Sequence, residues 1–241
     1  MQKRFIWIIL FLWIHVLLIG QDNNKLCIHN LTDNFYVYTT YKDINGTMFP
    51  SNSMYLVTDA GVVLFDTPWD TTQFQPLLDS IWFRHQANVV LAIATHYHDD
   101  RTAGLEFFKQ RGVKTFSSKL TYDLCEKFNE KQAAYYFEND TVFEVGNYKF
   151  ETYYAGEGHT KDNIVIWFGS HKILYGGCLI KSTESKNLGN IADANLQEWK
   201  PTIKKELRKY PRPKYVIPGH FGWESNKGLQ HTLKLLESAS Q

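Results

Sequence analysis

Val89-Val90-Leu91-Ala92-Ile93-Ala94-Thr95-His96-Tyr97-His98-Asp99-Asp100-Arg101 is the stretch whose reading decides the fold. Residues 89–94 form an unbroken apolar run, short enough for a buried strand. As that strand ends, two imidazoles and a carboxylate follow at alternating positions. Where the backbone is still extended, His96 and His98 point to one side, because side chains alternate across a strand. Asp100 comes two residues later, where the chain turns. Neutral imidazole nitrogens and a carboxylate oxygen are what Zn2+ accepts as ligands. A polar loop with two solvated histidines is the competing reading, and residues farther along the chain weigh against it.

Toward the N-terminus, Met54–Thr58 and Val62–Phe65 read as a hairpin across Asp59-Ala60-Gly61. Phe35–Thr40 is aromatic and β-branched, as strands are. Tyr41–Asn52 between them reads as a polar loop with an Asn45-Gly46 turn signal and Pro50. Met48 and Phe49 stand out in it: either they fold back onto the core, or they form a flap over a site. After Asp66-Thr67-Pro68-Trp69-Asp70, the positions Phe74, Leu77, Leu78 and Ile81 mark one face of a helix.

Toward the C-terminus, a helix is predicted from Ala103 to Arg111, stopping at Gly112. Thr115-Phe116 is a short strand and Leu120–Phe128 a helix. Hairpins follow around Gly146-Asn147 and Gly169-Ser170-His171. Leu196, Trp199, Ile203 and Leu207 have helical spacing, Tyr215–Ile217 is a strand, and Leu229, Thr232, Leu233 and Leu236 form a last amphipathic helix. Strands alternating with helices predict a layered α/β domain, two sheets covered by helices.

Composition bounds the rest. The chain has 241 residues, 44% hydrophobic and 21% charged, with 26 Lys and Arg against 25 Asp and Glu. That is the profile of a folded domain, not a disordered one, and it has no basic surplus for nucleic acid. Lys3 and Arg4 precede an apolar run over 5–19, so residues 1–20 read as an export signal and 21–241 as one domain. No Cys follows Gly20 directly, which argues against a lipid anchor there. Three cysteines, Cys27, Cys125 and Cys178, leave at least one thiol outside any internal disulfide. A thiolate held by a metal is one answer, and Cys178 is assigned it. Cys125 reads as packed in a helix and Cys27 as free.

Three more candidate ligands follow glycine just past strand ends: His159 after Gly156-Glu157-Gly158, Cys178 after Gly176-Gly177, and His220 after Pro218-Gly219. Glycine lets the backbone turn tightly there. Each alone is weak, but four strand ends carrying metal-type residues in one domain form a pattern.

With these residues the chain resembles the metallo-β-lactamases of subclass B1. The match is carried by His96-x-His98-x-Asp100, Gly158-His159-Thr160, Gly177-Cys178-Leu179-Ile180-Lys181-Ser182, Leu188-Gly189-Asn190 and Gly219-His220, with Asp66-Thr67-Pro68-Trp69 as a framework signature. It spans nearly the whole mature chain, in order. Arg101 after Asp100, where the wider hydrolase superfamily carries His, and Cys178, where it carries Asp, fit B1 and depart from its other branches.

The resemblance implies a four-layer αββα sandwich with two zinc ions at the edge of the two sheets. It implies that His96, His98 and His159 bind the first zinc, and Asp100, Cys178 and His220 the second. It implies a class B enzyme, conferring antibiotic resistance, in which a metal-bound hydroxide hydrolyses the β-lactam amide bond of penicillins, cephalosporins and carbapenems. Asp100 would orient the nucleophile. Lys181 would pair with the substrate carboxylate, the alternative being a surface lysine. Asn190 would donate to the carbonyl oxyanion, or only order its loop. Arg101, Asp66 and Asp162 are candidates for supporting contacts, the alternative for Asp66 and Asp162 being simple turn or cap residues. The expected protein is a periplasmic monomer acting on a small molecule, free of the membrane once the signal is removed. A binuclear hydrolase of the same fold acting on another ester, thioester or phosphodiester is the alternative.

Overall fold

The computed structural model describes residues 26–239, so the export signal read over 1–20 lies outside the described residues. One sheet has seven strands in spatial order: β1 (Leu26–Thr32), β2 (Phe35–Ile44), β3 (Thr47–Thr58), β4 (Gly61–Phe65), β5 (Val89–Ile93), β6 (Lys114–Ser118) and β7 (Tyr135–Phe137). The first four form an antiparallel meander, and from β4 onward the pairing is parallel. The second sheet contains β8 (Val142–Val145), β9 (Tyr148–Tyr153), β10 (Val165–Phe168), β11 (Ile173–Gly177) and β12 (Tyr215–Pro218), ordered β12-β11-β10-β9-β8.

The strand alternation sets the layers. Val63 and Phe65 of β4 point into the space between the sheets, where they meet Phe150, Ile166, Phe168 and Ile173 of the second sheet. Val62 and Leu64 point the other way, onto Leu77 and Ile81 of α1 (Phe74–His85). Both faces of this sheet are covered, which is why its central strands read as continuous apolar runs. On the far side, Val165, Leu174 and Val216 pack against Trp199 and Ile203 of α5 (Leu196–Lys209) and Leu229 and Leu236 of α6 (Gly228–Ala239). The result is the expected αββα sandwich. Among the described residues no helix is long and apolar enough to cross a membrane.

Three local expectations need correction. Residues 41–52 are not a loop. β2 and β3 pair in register out to Ile44 and Thr47, forming a ribbon that projects from the sheet. Its turn places Asn45 at φ 54° and Gly46 at φ 83°, the left-handed pair that a two-residue hairpin matched to strand twist demands. The helix expected over 103–111 starts earlier and is split. α2 (Asp99–Thr102) and α3 (Leu105–Lys109) are separated at Gly104, where a Cβ would lie 2.8 Å from the Phe108 ring and 2.9 Å from Thr67 Cβ. Strands β1 and β7, unread in the sequence, sit at the two edges of the first sheet. The remaining helices, including α4 (Lys119–Phe128), lie where expected.

Parallel pairing of β4 with β5, and of β11 with β12, brings their C-terminal ends to one edge of the sandwich. Asp66, the His96–Asp100 segment, Cys178 and His220 all follow those ends directly.

Candidate metal centre

The turn after β5 is held from below. Asp66, at φ 64°, accepts hydrogen bonds from Thr95 N (2.6 Å), Thr95 Oγ1 (2.8 Å) and the Tyr175 hydroxyl (2.6 Å). This fixes the backbone from which His96 and His98 project. Their rings lie 4.9 Å apart, and His159 completes a triangle at 5.2 and 5.1 Å from them. Ligand atoms of all three approach within 4.8 Å of one another. His96 Nε2 and His159 Nδ1 are buried without a hydrogen-bond partner. An unmet buried polar nitrogen costs about 1–3 kcal/mol, and a cation among the three rings would give His96 Nε2, which faces Asp100 at 3.9 Å, a partner.

His98 is oriented differently. Its Nε2 lies 3.0 Å from a carboxylate oxygen of Asp193, which leaves Nδ1 as the free nitrogen. A carboxylate behind a ligating imidazole is a recurrent way of fixing the ring and raising its basicity.

The second set is tighter. Cys178 Sγ lies 3.4 Å from Asp100 Oδ2 and 3.2 Å from His220 Nε2, and His220 Nε2 lies 3.2 Å from the same Asp100 oxygen. His220 Nδ1 is 2.7 Å from the Pro50 carbonyl, which can only accept; Nδ1 therefore carries the proton and Nε2 presents its lone pair. His96, Asp100 and Cys178 also cluster within 4.8 Å, so the two sets are contiguous.

Electrostatics favour the ligand form of His96, His159, His220 and Asp100. Burial lowers the pKa of His96, His159 and His220, keeping the imidazoles neutral. Burial pushes Asp100 up, but the Arg101 guanidinium overcomes it and holds the carboxyl well below the usual range. Burial pushes the Cys178 thiol far up, against the pull of Arg101, so it keeps its proton until a cation displaces it. These convergent donors, buried except for the partly exposed His98 and His220, fit zinc.

Arg101 supports the second set from full burial. Its Nε and Nη2 contact Asp100 Oδ2 at 2.9 and 2.7 Å, Nη1 donates to Asn52 O (2.7 Å), and Nη2 donates to Gly219 O (2.9 Å). The supporting contacts expected of Arg101 and Asp66 are present. Asp162 is buried with neither carboxylate oxygen hydrogen-bonded, and burial pushes its carboxyl up to about 6.

A cavity of about 780 Å³ opens above the cluster, with Phe49, Trp69, Lys181 and Asn190 in its walls. Lys181 is nearly buried, its ammonium 5.2 Å from the Trp199 ring centroid. The Asn190 carbonyl accepts from Ala192 N (3.1 Å), leaving its amide NH2 as the available donor. Phe49, left open between core and flap, takes the flap position, 5.2 Å from the His220 ring. Asp193 was missed in the sequence. It sits in an irregular loop, and nothing local marks it as a partner of His98.

Residues 46–220 match the model of the Metallo-beta-lactamase superfamily. The chain belongs to that family. It is 44% identical over 222 residues to a metallo-beta-lactamase type 2 of Elizabethkingia meningoseptica, covering 92% of this chain and 89% of that protein. It is 40% identical over 206 residues to metallo-beta-lactamase IND-1 of Chryseobacterium indologenes, covering 86% of each. Among solved structures, a metallo-beta-lactamase from Pontibacter korlensis superposes with a TM-score of 0.85 at 37% identity, over 88% of this chain and 99% of that one. The resemblance read from the ligand motifs is thus borne out at the level of the metallo-beta-lactamase family and its fold.

Proposed function

We propose that this chain is a zinc-dependent hydrolase of the β-lactam amide bond, acting on penicillins, cephalosporins and carbapenems. The observation that carries the reading is the pair of contiguous ligand sets, His96/His98/His159 and Asp100/Cys178/His220, at the floor of one cavity in a chain of this family. Each set is read as holding one zinc ion. Zinc bound there supplies Lewis-acid polarisation and a water acidified to a pKa near 7.

The chain's own residues do the rest. Asp193 and the Pro50 carbonyl fix the rings of His98 and His220. Asp100, kept ionised by Arg101, accepts a hydrogen bond from the attacking water and orients it. The Lys181 ammonium meets the carboxylate that β-lactams carry beside the ring nitrogen. The Asn190 amide donates to the carbonyl oxygen as negative charge develops there. Phe49 and Trp69 form an apolar wall over the reacting bond. No serine nucleophile is needed, and no acyl-enzyme forms.

The chain is further read as a monomer, exported to the periplasm by residues 1–20, with residues 21–241 as the mature domain. Incubating the purified chain with a penicillin and a carbapenem, before and after chelation, tests the function. Ring opening that chelation abolishes and zinc restores is expected. A folded, zinc-loaded protein that opens neither ring would contradict it and bring forward an ester, thioester or phosphodiester substrate.

A further inference from the structure

We infer that Lys42 is a positioning residue that ties the β2–β3 ribbon down over the ligand cluster. Lys42 and Phe49 are paired directly across the ribbon, so their side chains leave on the same face. That face looks onto the site. Phe49 packs 5.2 Å from the His220 ring, while the Lys42 ammonium bonds the Asp99 carboxylate at 2.8 Å. Asp99 stands in the chain between His98 and Asp100. Trp69 lies between the two contacts, its ring 4.8 Å from the Lys42 ammonium and 6.3 Å from the Phe49 ring. A single rung of the ribbon therefore touches both the His98–Asp100 segment and His220.

The rung also marks where the body stops holding the ribbon. Just before it, the Gln73 side chain donates to Tyr41 O (2.6 Å) and accepts from Tyr41 N (3.3 Å). Just after it, Gly46 N bonds back to Asp43 within the turn, and Ile44 and Met48 are 40% and 42% exposed. Ile44 lies two residues past Lys42, on the same face, and lines the cavity. The angle of the ribbon at Lys42 thus sets how closely Ile44 and Phe49 approach a substrate. Both partners of the ion pair are partly exposed, at 36% and 44% of their side chains, so salt screens the bond and it opens readily. A buried pair would lock the ribbon; this one latches it.

The inference rests on the hydrolase reading for its kinetic readout alone. Hydrogen exchange at the amides of residues 42–49 in the zinc-loaded chain, with KM and kcat for a penicillin from the same preparations, tests it. Lys42→Gln is expected to speed exchange across the ribbon and to raise KM by about two- to fivefold, with kcat changed less than about twofold. Asp99→Asn should do the same, and the double variant should add nothing to either single change. Lys42→Arg should restore both readouts. Added salt should raise the parent KM by a larger factor than that of Lys42→Gln. Unchanged ribbon exchange in Lys42→Gln, or single effects that sum in the double variant, would overturn the inference. If no variant opens a β-lactam ring, the proposed function fails, and the exchange measurement still decides the role of Lys42.

Discussion

His98 shows how a single residue is tuned here. One ring nitrogen faces the cluster and the other is held 3.0 Å from Asp193. Removing that carboxylate should weaken the zinc site without unfolding the chain. Asp193→Asn is expected to lower zinc affinity or turnover by about 10–100-fold, read by competition with a metallochromic chelator; parent affinity and turnover would remove Asp193 from the account. Losing a ligand outright should cost more. Cys178→Ser is expected to lower β-lactam turnover by more than about tenfold and to leave one zinc per chain, counted by elemental analysis. The six candidate ligands were legible in the sequence because each lies just past an apolar strand, half of them behind a glycine. Asp193 was not, because its partner is 95 residues away and no periodicity links them.

At the scale of the element, α5 is the instructive case. Its sequence spacing predicts an apolar face through Leu196, Trp199, Ile203 and Leu207. The structure rotates that face: Trp199, Thr202, Ile203 and Glu206 are buried, and Leu196 is 40% exposed. Glu206 is fully buried with neither carboxylate oxygen hydrogen-bonded, and burial pushes its pKa up to about 8, with Lys209 opposing and Asp140 adding to the shift. Between the ordinary value of 4.5 and about 8, the folded chain holds a proton that the unfolded chain releases. Stability must therefore fall as pH rises through that window. Glu206→Gln is expected to melt several degrees above the parent at pH 9 and close to it at pH 5. Parallel melting curves across that range would contradict the buried, protonated carboxyl. The ribbon carries the opposite lesson. Its Asn45-Gly46 turn was legible, but its strands were not, because polar residues on an exposed hairpin carry no apolar alternation.

For the whole molecule, Arg101 is the joint. Its guanidinium lies 2.7 Å from Asn52 O of β3 and 3.4 Å from Asp66 after β4 in one sheet, and 3.2 Å from the Tyr175 hydroxyl of β11 and 2.9 Å from Gly219 O after β12 in the other. Arg101→Ala leaves buried carboxylates unpaired and is expected to cost about 3–5 kcal/mol in urea unfolding; a loss under about 1 kcal/mol would mean the sheets are joined by the apolar core alone. The two-sheet layering was legible because runs such as Val62–Phe65 and Val89–Ile93 must be covered on both faces. Strand order was not, although neighbours in both sheets follow one another in the chain, since an apolar run says that a strand is covered and not which strand lies beside it. The central claim is that this edge of the sandwich is a zinc-dependent β-lactam hydrolase with two metal positions. Titrating zinc into the metal-free chain, while counting bound ions and following hydrolysis of a penicillin, tests it most directly. The account predicts no hydrolysis without zinc, and binding that saturates at two ions per chain with hydrolysis at its full rate. Hydrolysis by the metal-free chain, or saturation at a single ion, would contradict it.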